Sequence, residues 1–259
     1  MDLKQKLDYH YNAFDKTKIS PDPLQFLHLF SHEKDIEIMG FIASIFSYGN
    51  VKQIINTLNK FLQFSENQPY NFIINADKKL FKSKLNDLKH RFYTTDDLAI
   101  LFLIIGNTLQ KYKSLKEVYL SFYKPEDFNI KNSLVHFSDY FIKESEKMCN
   151  NKITPGLRFM FPLPNKGGAC KRMNLFLRWM VRKDELDFGL WNEIPAHKLI
   201  IPVDTHVARI SRSLGLTKIK NVGWKMAEDI TANLKKIDPC DPVKYDFAIC
   251  HIGMRKMIF

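Results

Sequence analysis

Two residues of this 259-residue chain carry side chains that could perform chemistry at a sugar carbon. Lys171 follows a Pro/Gly turn and opens a segment of helical periodicity, and Asp204 opens another one 33 positions later. An amine partly removed from water has a lowered pKa and can attack carbon to form a Schiff base. A fixed carboxylate can stabilise positive charge that develops on a sugar. The pair therefore indicates cleavage of a glycosidic bond.

Asp204 is predicted to lie at the start of a helix. Val207, Ile210 and Leu214 follow it at helical spacing and form one apolar face. At the N-cap its carboxylate would accept hydrogen bonds from free backbone N–H groups and be held ionised by the helix dipole. The same pattern also suits an aspartate that only caps a helix.

Lys171 has two interpretations as well. It stands three residues after Gly168, at the opening of a predicted helix that carries Phe176 and Trp179. In a partly dry site it would be a nucleophile, and in an exposed basic turn it would only bind phosphate.

The chain is predicted to be all-α, because apolar residues recur at helical spacing and no segment alternates like a strand. A polar break at residues 47–50 separates an almost wholly apolar helix from an amphipathic one. Asp96 and Asp97 are predicted to cap the next long helix. The predicted helices cover residues 2–14, 37–46, 51–64, 98–112, 114–123, 132–148, 223–237 and 243–254.

The net charge of +11, from 39 Lys and Arg against 28 Asp and Glu, favours a polyanionic partner such as nucleic acid. A lysine-rich surface that only keeps the protein in solution would give the same charge. No apolar run reaches the length of a membrane span, and the N-terminus lacks the pattern of a secretory signal. We therefore expect no membrane partner.

The four cysteines, Cys149, Cys170, Cys240 and Cys250, show no paired spacing. This usage favours a reducing, cytoplasmic setting. It also predicts no metal ion and no other cofactor.

Two segments around the chemical residues resemble a known signature. PLPNKGGACKRMNLFL (162–177) and IPVDTHVARISRSLGL (201–216) resemble the helix-hairpin-helix and Gly/Pro/Asp (HhH-GPD) signature of the endonuclease III and 8-oxoguanine DNA glycosylase superfamily. The resemblance implies a two-lobed, all-α HhH-GPD fold with a helix-hairpin-helix. It also implies that Lys171 is the catalytic lysine and Asp204 the catalytic aspartate.

The hairpin departs from that signature in two ways. It lacks the tight GxG core, and its longer spacing to the aspartate resembles the archaeal 8-oxoguanine glycosylases and an uncharacterised bacterial branch. A shift of one position would put Arg172 where the lysine belongs, and an arginine stays protonated and cannot form a Schiff base. Which of Lys171 and Arg172 occupies the lysine position stays open at this point.

The resemblance, which covers residues 20–60 and 155–255, also implies DNA contacts. FSYGNVKQI (46–54) resembles the loop that fills the gap left by an extruded nucleotide. The expected DNA-binding residues are Ser47, Tyr48, Asn50, Lys166, Gly167, Gly168, Arg172, His206 and Arg209. Candidate platforms for the extruded base are Phe159, Phe161, Trp179 and Trp191. The last helix brings Asp246, which would reach the pocket or pair with a basic residue, and the iron–sulfur cysteines of endonuclease III are missing.

The predicted organisation is one two-lobed unit over residues 1–259. A helical lobe covers 35–150, a lobe with the hairpin and aspartate covers 151–259, and 1–34 pack across. No role is predicted for residues 65–150.

The predicted function is a DNA repair glycosylase, with possible AP lyase activity, that removes a damaged base; the resemblance favours an oxidised purine. Its partner would be duplex DNA with a damaged base or abasic site. It would act as a monomer, in the cytoplasm and at the nucleoid. One alternative is a catalytically inactive DNA-binding protein with the same fold, and another is a basic helical protein that docks to a protein or membrane surface.

Overall fold

The fold is helical throughout the part of the chain that the computed structural model describes, which is residues 2–75, 77–85, 88 and 90–255. Within those residues no strand forms, and two isolated bridges join His90 to Tyr93 and Lys183 to Phe188. The all-α prediction is confirmed. The last residues of the predicted second lobe, 256–259, lie outside the described residues.

The helices are short to medium in length and are connected by compact turns. In chain order the α-helices are α1 (Leu3–Asn12), α2 (Glu33–Phe46), α3 (Val51–Phe64), α4 (Pro69–Asn75), α5 (Lys78–Lys84), α6 (Thr95–Tyr112), α7 (Leu115–Leu120), α8 (Lys131–Met148), α9 (Pro155–Met160), α10 (Lys171–Val181), α11 (Thr205–Ser213), α12 (Trp224–Lys235) and α13 (Asp246–Arg255). The 3₁₀ helices are Lys16–Lys18, Pro23–Leu29, Pro164–Lys166, Ala196–Lys198 and Pro242–Tyr245.

Helix starts agree with the predictions where a capping side chain is evident in the sequence. The polar break at residues 47–50 does separate α2 from α3. The start of α6 differs, because Thr94 rather than Asp96 is the N-cap. Thr94 and Asp97 form a reciprocal capping box, which satisfies two backbone N–H groups at once. The helix therefore begins three residues before the predicted Leu98.

The chain divides into two compact units. Unit 1 comprises Met1–Ile19, Pro125–Lys131 and Leu163–Phe259, and unit 2 comprises Ser20–Lys124 and Asn132–Pro162. These units differ from the predicted lobes, because the segment 1–34 is shared between them. Its helix α1 packs against α13 in unit 1, and its Pro23–Leu29 turn packs against α2 in unit 2.

Unit 2 is built around α2, whose residues from Ile36 to Phe46 are all buried. Phe41 contacts the rings of Phe137, Phe141 and Phe161, with centroids 5.1–6.5 Å apart. The buried carboxylate of Glu37 accepts hydrogen bonds from the first two N–H groups of α7, at 2.9 and 3.0 Å. A carboxylate at a helix N-terminus is favoured by the helix dipole, so this contact fixes α7 on α2.

Unit 1 buries its three tryptophans, Trp179, Trp191 and Trp224, together with the face between α11 and α13. The chain that follows α10 folds back on it, since Phe188 N–H donates to Trp179 O and Trp191 N–H donates to Met180 O. Trp191 then meets Phe176 edge to face at 5.1 Å. The result is a rigid support for α10, the helix that begins at Lys171.

Unit 1 also contains a buried network of arginines and aspartates. Arg178 lies in the last turn of α10 and Arg182 is the C-cap residue of that helix, and Asp187 lies between their guanidinium groups. Burial raises the pKa of Asp187, and the two arginines oppose that shift. The salt bridges of this arginine–aspartate network are Arg178–Asp187, Arg178–Asp246, Arg182–Asp184, Arg182–Asp187 and Arg182–Asp241.

We predict that Arg178→Met lowers the free energy of unfolding by about 3–5 kcal/mol, because it leaves buried carboxylates without their cation. The side chain of Arg178 is 3% exposed. The control is Arg158→Met, whose side chain is 58% exposed in a pair with Glu146, and it should cost less than about 1 kcal/mol. Urea titration of both variants measures the difference. Equal, small losses would show that the network adds little stability.

Candidate active site

Lys171 is the first residue of α10, as predicted. The turn before it ends at Cys170, which has a left-handed backbone (φ 51°) and offers no side-chain cap to the helix. The buried thiol of Cys170 donates to Gly168 O at 3.3 Å, and burial raises its pKa to about 12. The turn thus leads directly into α10, whose first residue is Lys171.

Asp204 is the N-cap of α11, which confirms its predicted place at the helix start. Its Oδ1 accepts hydrogen bonds from the N–H groups of His206 and Val207, both at 2.9 Å. Its Oδ2 lies 2.9 Å from Lys171 Nζ. One oxygen therefore holds the helix and the other holds the amine.

The Lys171–Asp204 pair is only partly buried. The Lys171 side chain is 31% exposed and that of Asp204 is 20% exposed, so both can be reached from solvent. Burial alone would raise the pKa of Asp204, but the ammonium of Lys171 and the backbone N–H of Val207 outweigh it and hold the pKa below its usual range. Asp204 is therefore an anion at neutral pH.

The structure pairs Lys171 with Asp204. Arg172 is 5% exposed and lies inside unit 1. This burial counts against the predicted phosphate contact of Arg172, because a guanidinium in the core cannot reach a DNA backbone. The sequence left the register of the two residues open, and side-chain burial distinguishes them.

Asp246 lies within electrostatic range of the Lys171–Asp204 pair. It is buried on α13 and bonds to Arg178 through Oδ2, while its Oδ1 has no hydrogen-bond partner. Burial raises its pKa to about 6, the carboxylate of Asp204 adds to the shift, and Arg178 and Lys171 oppose it. The sequence allowed two roles for Asp246, and the structure shows that it pairs with a basic residue, Arg178. Its charge also interacts with Lys171 and Asp204.

The hairpin before α10 packs on the start of α12. Gly167 has φ +84°, and its carbonyl accepts the N–H of Trp224 at 3.1 Å. A Cβ on Gly223 would come 2.7 Å from that carbonyl oxygen, so the two backbones touch only because Gly223 has no side chain. The N–H of Gly167 is already bound to Pro164 O. A phosphate would therefore have to approach the N–H groups of Gly168 or Ala169.

Exposed cations of unit 1 extend from the hairpin to α11. Lys166 is exposed on the hairpin, Arg209 and Arg212 are exposed on α11, and Lys218 follows that helix. His206 is half-buried next to Asp204. These charges would favour a polyanion, as the net charge of the chain suggested.

The predicted loop residues of unit 2 differ in exposure. Ser47 is buried and its hydroxyl donates to Ala43 O, so it ends α2 and does not face solvent. Asn50 is the N-cap of α3 and accepts the N–H of Lys52. Tyr48 is 40% exposed, and Asn50 is exposed as well.

Three of the four aromatic residues considered as base platforms are core residues. Phe161, Trp179 and Trp191 are each at most 1% exposed, so no base can stack on them. Large aromatic side chains at helical spacing usually fill the core, and they do so here. Phe159 is the exception, since it is half-buried.

Among the described residues, no group of three or more His, Cys, Asp or Glu side chains is arranged to hold a metal ion. Within the same residues, no helix is both long and apolar enough to cross a bilayer.

A family model matches residues 22–255, which is most of the chain. The chain belongs to the family described as "Protein of unknown function (DUF2400)". No curated protein and no solved structure matches this DUF2400 member.

The DUF2400 match overturns the assignment to the HhH-GPD superfamily, which is therefore wrong. That assignment rested on short segments around Lys171 and Asp204. An aspartate N-cap followed by apolar residues is what many helix starts require, so such a motif alone does not define a superfamily. The site of this DUF2400 member must be interpreted from its own geometry.

Sequence reasoning missed the partners that position the site. Arg178 and Arg182 lie four residues apart at the end of α10, and Asp184 and Asp187 follow closely in the chain. Such a cluster usually marks an exposed face, and only its flanking tryptophans indicated burial. The unpaired Oδ1 of Asp246 had no sequence signal at all.

We predict that Asp204→Ala destabilises this DUF2400 member by about 0.5–2 kcal/mol, since alanine cannot cap α11. Asp204→Asn should cost clearly less, because asparagine caps a helix as well as aspartate does. Urea titration compares the two variants with the wild type. If both lose the same free energy, the stabilisation comes from the ion pair with Lys171 and not from the cap.

Proposed function

We propose that this chain is a DNA glycosylase that breaks the N-glycosidic bond of a damaged nucleotide, with Lys171 as nucleophile and Asp204 as its carboxylate partner. The observation that carries the proposal is the 2.9 Å contact between Lys171 Nζ and Asp204 Oδ2, made where two helices begin. Both side chains remain partly open to solvent. An amine and an anion in such contact suit attack on a carbon that becomes positively charged.

The first step would need Lys171 as a free amine. Asp204 would accept the ammonium proton and pass it to the base as the base departs, which restores the carboxylate, while Nζ attacks C1′ of the deoxyribose. The bond between C1′ and the base nitrogen breaks, and its electron pair leaves with the base, which takes up a proton. The Asp204 carboxylate stabilises the positive charge that develops on the sugar.

A lyase step could follow on the same lysine. The sugar ring opens as the C1′–O4′ bond breaks, O4′ takes a proton, and C1′ becomes an iminium linked to Nζ. Loss of a proton from C2′ then expels the 3′ phosphate by β-elimination. Each step uses only groups of the substrate and the Lys171–Asp204 pair, so a single chain suffices.

DNA would be held by the exposed cations of unit 1. Lys166 next to the hairpin and Arg209 on α11 would neutralise phosphates, with a binding constant that falls steeply as salt is raised. The target nucleotide must leave the duplex stack, because its glycosidic bond is inaccessible there. Duplex DNA with a damaged base or an abasic site is therefore the proposed partner.

A second candidate function is DNA binding without catalysis. The observation that favours it is the same ion pair, since an ammonium held by a carboxylate is not a nucleophile until it loses its proton. In that case the Lys171–Asp204 pair would only tie α10 to α11. Binding would be salt-dependent, but no base would be released.

Borohydride trapping tests the catalytic proposal. The wild type is incubated with duplexes that each carry one damaged base, beginning with oxidised purines, or an abasic site. We expect a covalent adduct on a denaturing gel, because borohydride reduces the imine to a stable amine. Lys171→Gln should abolish the adduct, whereas Lys143→Gln, at a lysine of α8 whose side chain is 66% exposed, should keep it.

The outcomes of this trapping experiment are distinct. An adduct that survives in Lys171→Gln would assign the amine to another residue. The absence of any adduct, together with no base released, would favour the DNA-binding alternative. Base release without an adduct would indicate a hydrolytic enzyme in which Asp204 directs water.

We also predict a pH dependence that comes from Asp246. Its pKa of about 6 lies above its ordinary value, so it gains a negative charge as the pH rises through about 6. That charge would stabilise the positive sugar beside Asp204, so adduct formation should accelerate over this range. Asp246→Asn should remove the inflection from the pH profile of the trapping rate. An inflection near pH 6 that persists in the variant would belong to another group.

A further inference from the structure

Three aromatic rings and one guanidinium form a cluster at the surface of unit 2. They are Tyr48, Arg91, Phe92 and Phe159, called the aromatic cluster below. Phe159 lies 4.8 Å from the ring of Tyr48 and 5.0 Å from that of Phe92, edge to face in both pairs. The guanidinium of Arg91 lies over the Tyr48 ring at 4.8 Å.

The aromatic cluster is held in place from below. His90 is buried, and its Nε2 donates to the carbonyl of Tyr48 at 3.2 Å, while its Nδ1 contacts the hydroxyl of Thr57 at 3.1 Å. Gly49 has φ +106°, and a Cβ there would come 2.7 Å from Arg91 Cδ. The side chain of Arg91 therefore packs closely against Gly49. A preformed surface of this kind loses little entropy when it binds.

Two of the three aromatic rings of the cluster are exposed to solvent. Tyr48 is 40% and Phe92 is 48% exposed. Aromatic rings that pack on one another usually complete that packing inside a core, so exposed faces next to a cation mark a surface suited to binding.

The surroundings of the aromatic cluster are basic in sequence. The three segments that supply it, residues 47–52, 90–93 and 155–160, contain no aspartate or glutamate and contribute Lys52 and Arg91. They also contain Arg158, which pairs with Glu146. Lys52 and Arg91 are exposed. The surface thus combines ring faces with positive charge.

We propose that the aromatic cluster binds single-stranded nucleic acid, with a base stacked on Phe92 and the phosphates paired with Arg91 and Lys52. Every base has a flat π-face, and stacking on aromatic side chains beside a basic groove is how single strands are held without sequence preference. Arg91 also offers a cation–π contact to a base.

This inference rests on the proposed function in one respect, since both take nucleic acid as the partner. It deepens that function, because extrusion of a damaged nucleotide leaves unpaired bases that need a surface to stack on. It uses no residue of the Lys171–Asp204 pair.

The test is fluorescence anisotropy with a labelled oligothymidylate and the full-length chain. Phe92→Leu keeps the apolar bulk but removes the ring, and we expect it to weaken binding by about tenfold. Phe92→Trp should bind at least as tightly as the wild type. The matched control is Phe128→Leu in unit 1, where a phenylalanine that is 83% exposed lies under Lys235 at 5.2 Å, and it should leave binding unchanged.

A second readout separates stacking from simple charge attraction. An oligonucleotide with 2-aminopurine loses fluorescence when that base stacks, so the wild type should quench it and Phe92→Leu should not. Binding of Phe92→Leu equal to wild type, or an equal loss in Phe128→Leu, would overturn the proposal. A wild type that does not bind the single strand would overturn it too.

Lys171→Gln separates this inference from the proposed function. The variant should bind oligothymidylate like the wild type while forming no covalent adduct. Binding without any trapping by the wild type would leave the aromatic cluster in place and remove the enzyme. Trapping by a wild type that does not bind the single strand would support the enzyme and overturn the role of the aromatic cluster.

Discussion

The arginine–aspartate network is the interaction on which unit 1 depends. The guanidinium groups of Arg178, on α10, and of Arg182, at its C-cap, hold carboxylates from α13 and from the chain that follows α10. Buried charges cost several kcal/mol each unless every partner is present, so the network permits little freedom in how these segments sit. The position of α10, and with it that of Lys171, follows from two charges: Arg178, about two turns further along the helix, and Arg182 at its C-cap.

The Lys171–Asp204 pair is a further salt bridge of unit 1, and it is partly exposed to solvent. Asp204 uses one oxygen for the helix and one for the amine, so the cap of α11 also positions Lys171. Asp246 links the arginine–aspartate network to the Lys171–Asp204 pair. It accepts a hydrogen bond from Arg178, and its charge acts on Lys171 and Asp204. The charged groups thus run from the buried arginine–aspartate network to the partly exposed Lys171–Asp204 pair.

The sequence predicted those features that depend on neighbouring residues. The N-cap at Asp204, the start of α10 at Lys171 and the break between α2 and α3 all follow from local spacing and capping chemistry. That Lys171 and Asp204 act together was inferred from their chemistry and from a resemblance, and the superfamily behind that resemblance was wrong.

What the sequence could not show depends on distant contacts. Whether Arg172 faces DNA or the core is decided by helix packing, which spacing alone does not reveal. The same holds for Trp179 and Trp191, which suited a base platform by chemistry and proved to be core. The aromatic cluster joins three segments that lie far apart in the chain, so no local pattern could assemble it.

Cys170 gives the proposed chemistry a selectivity that its sequence position does not suggest. A thiol next to a reactive amine would ordinarily be the better nucleophile, and it would compete for an electrophilic sugar. Here the thiol is buried, donates to Gly168 O and has a pKa raised to about 12. It stays protonated at every physiological pH. Of these two adjacent nucleophiles, only the amine is therefore presented to an incoming carbon, and oxidants in the cell find little thiolate to modify.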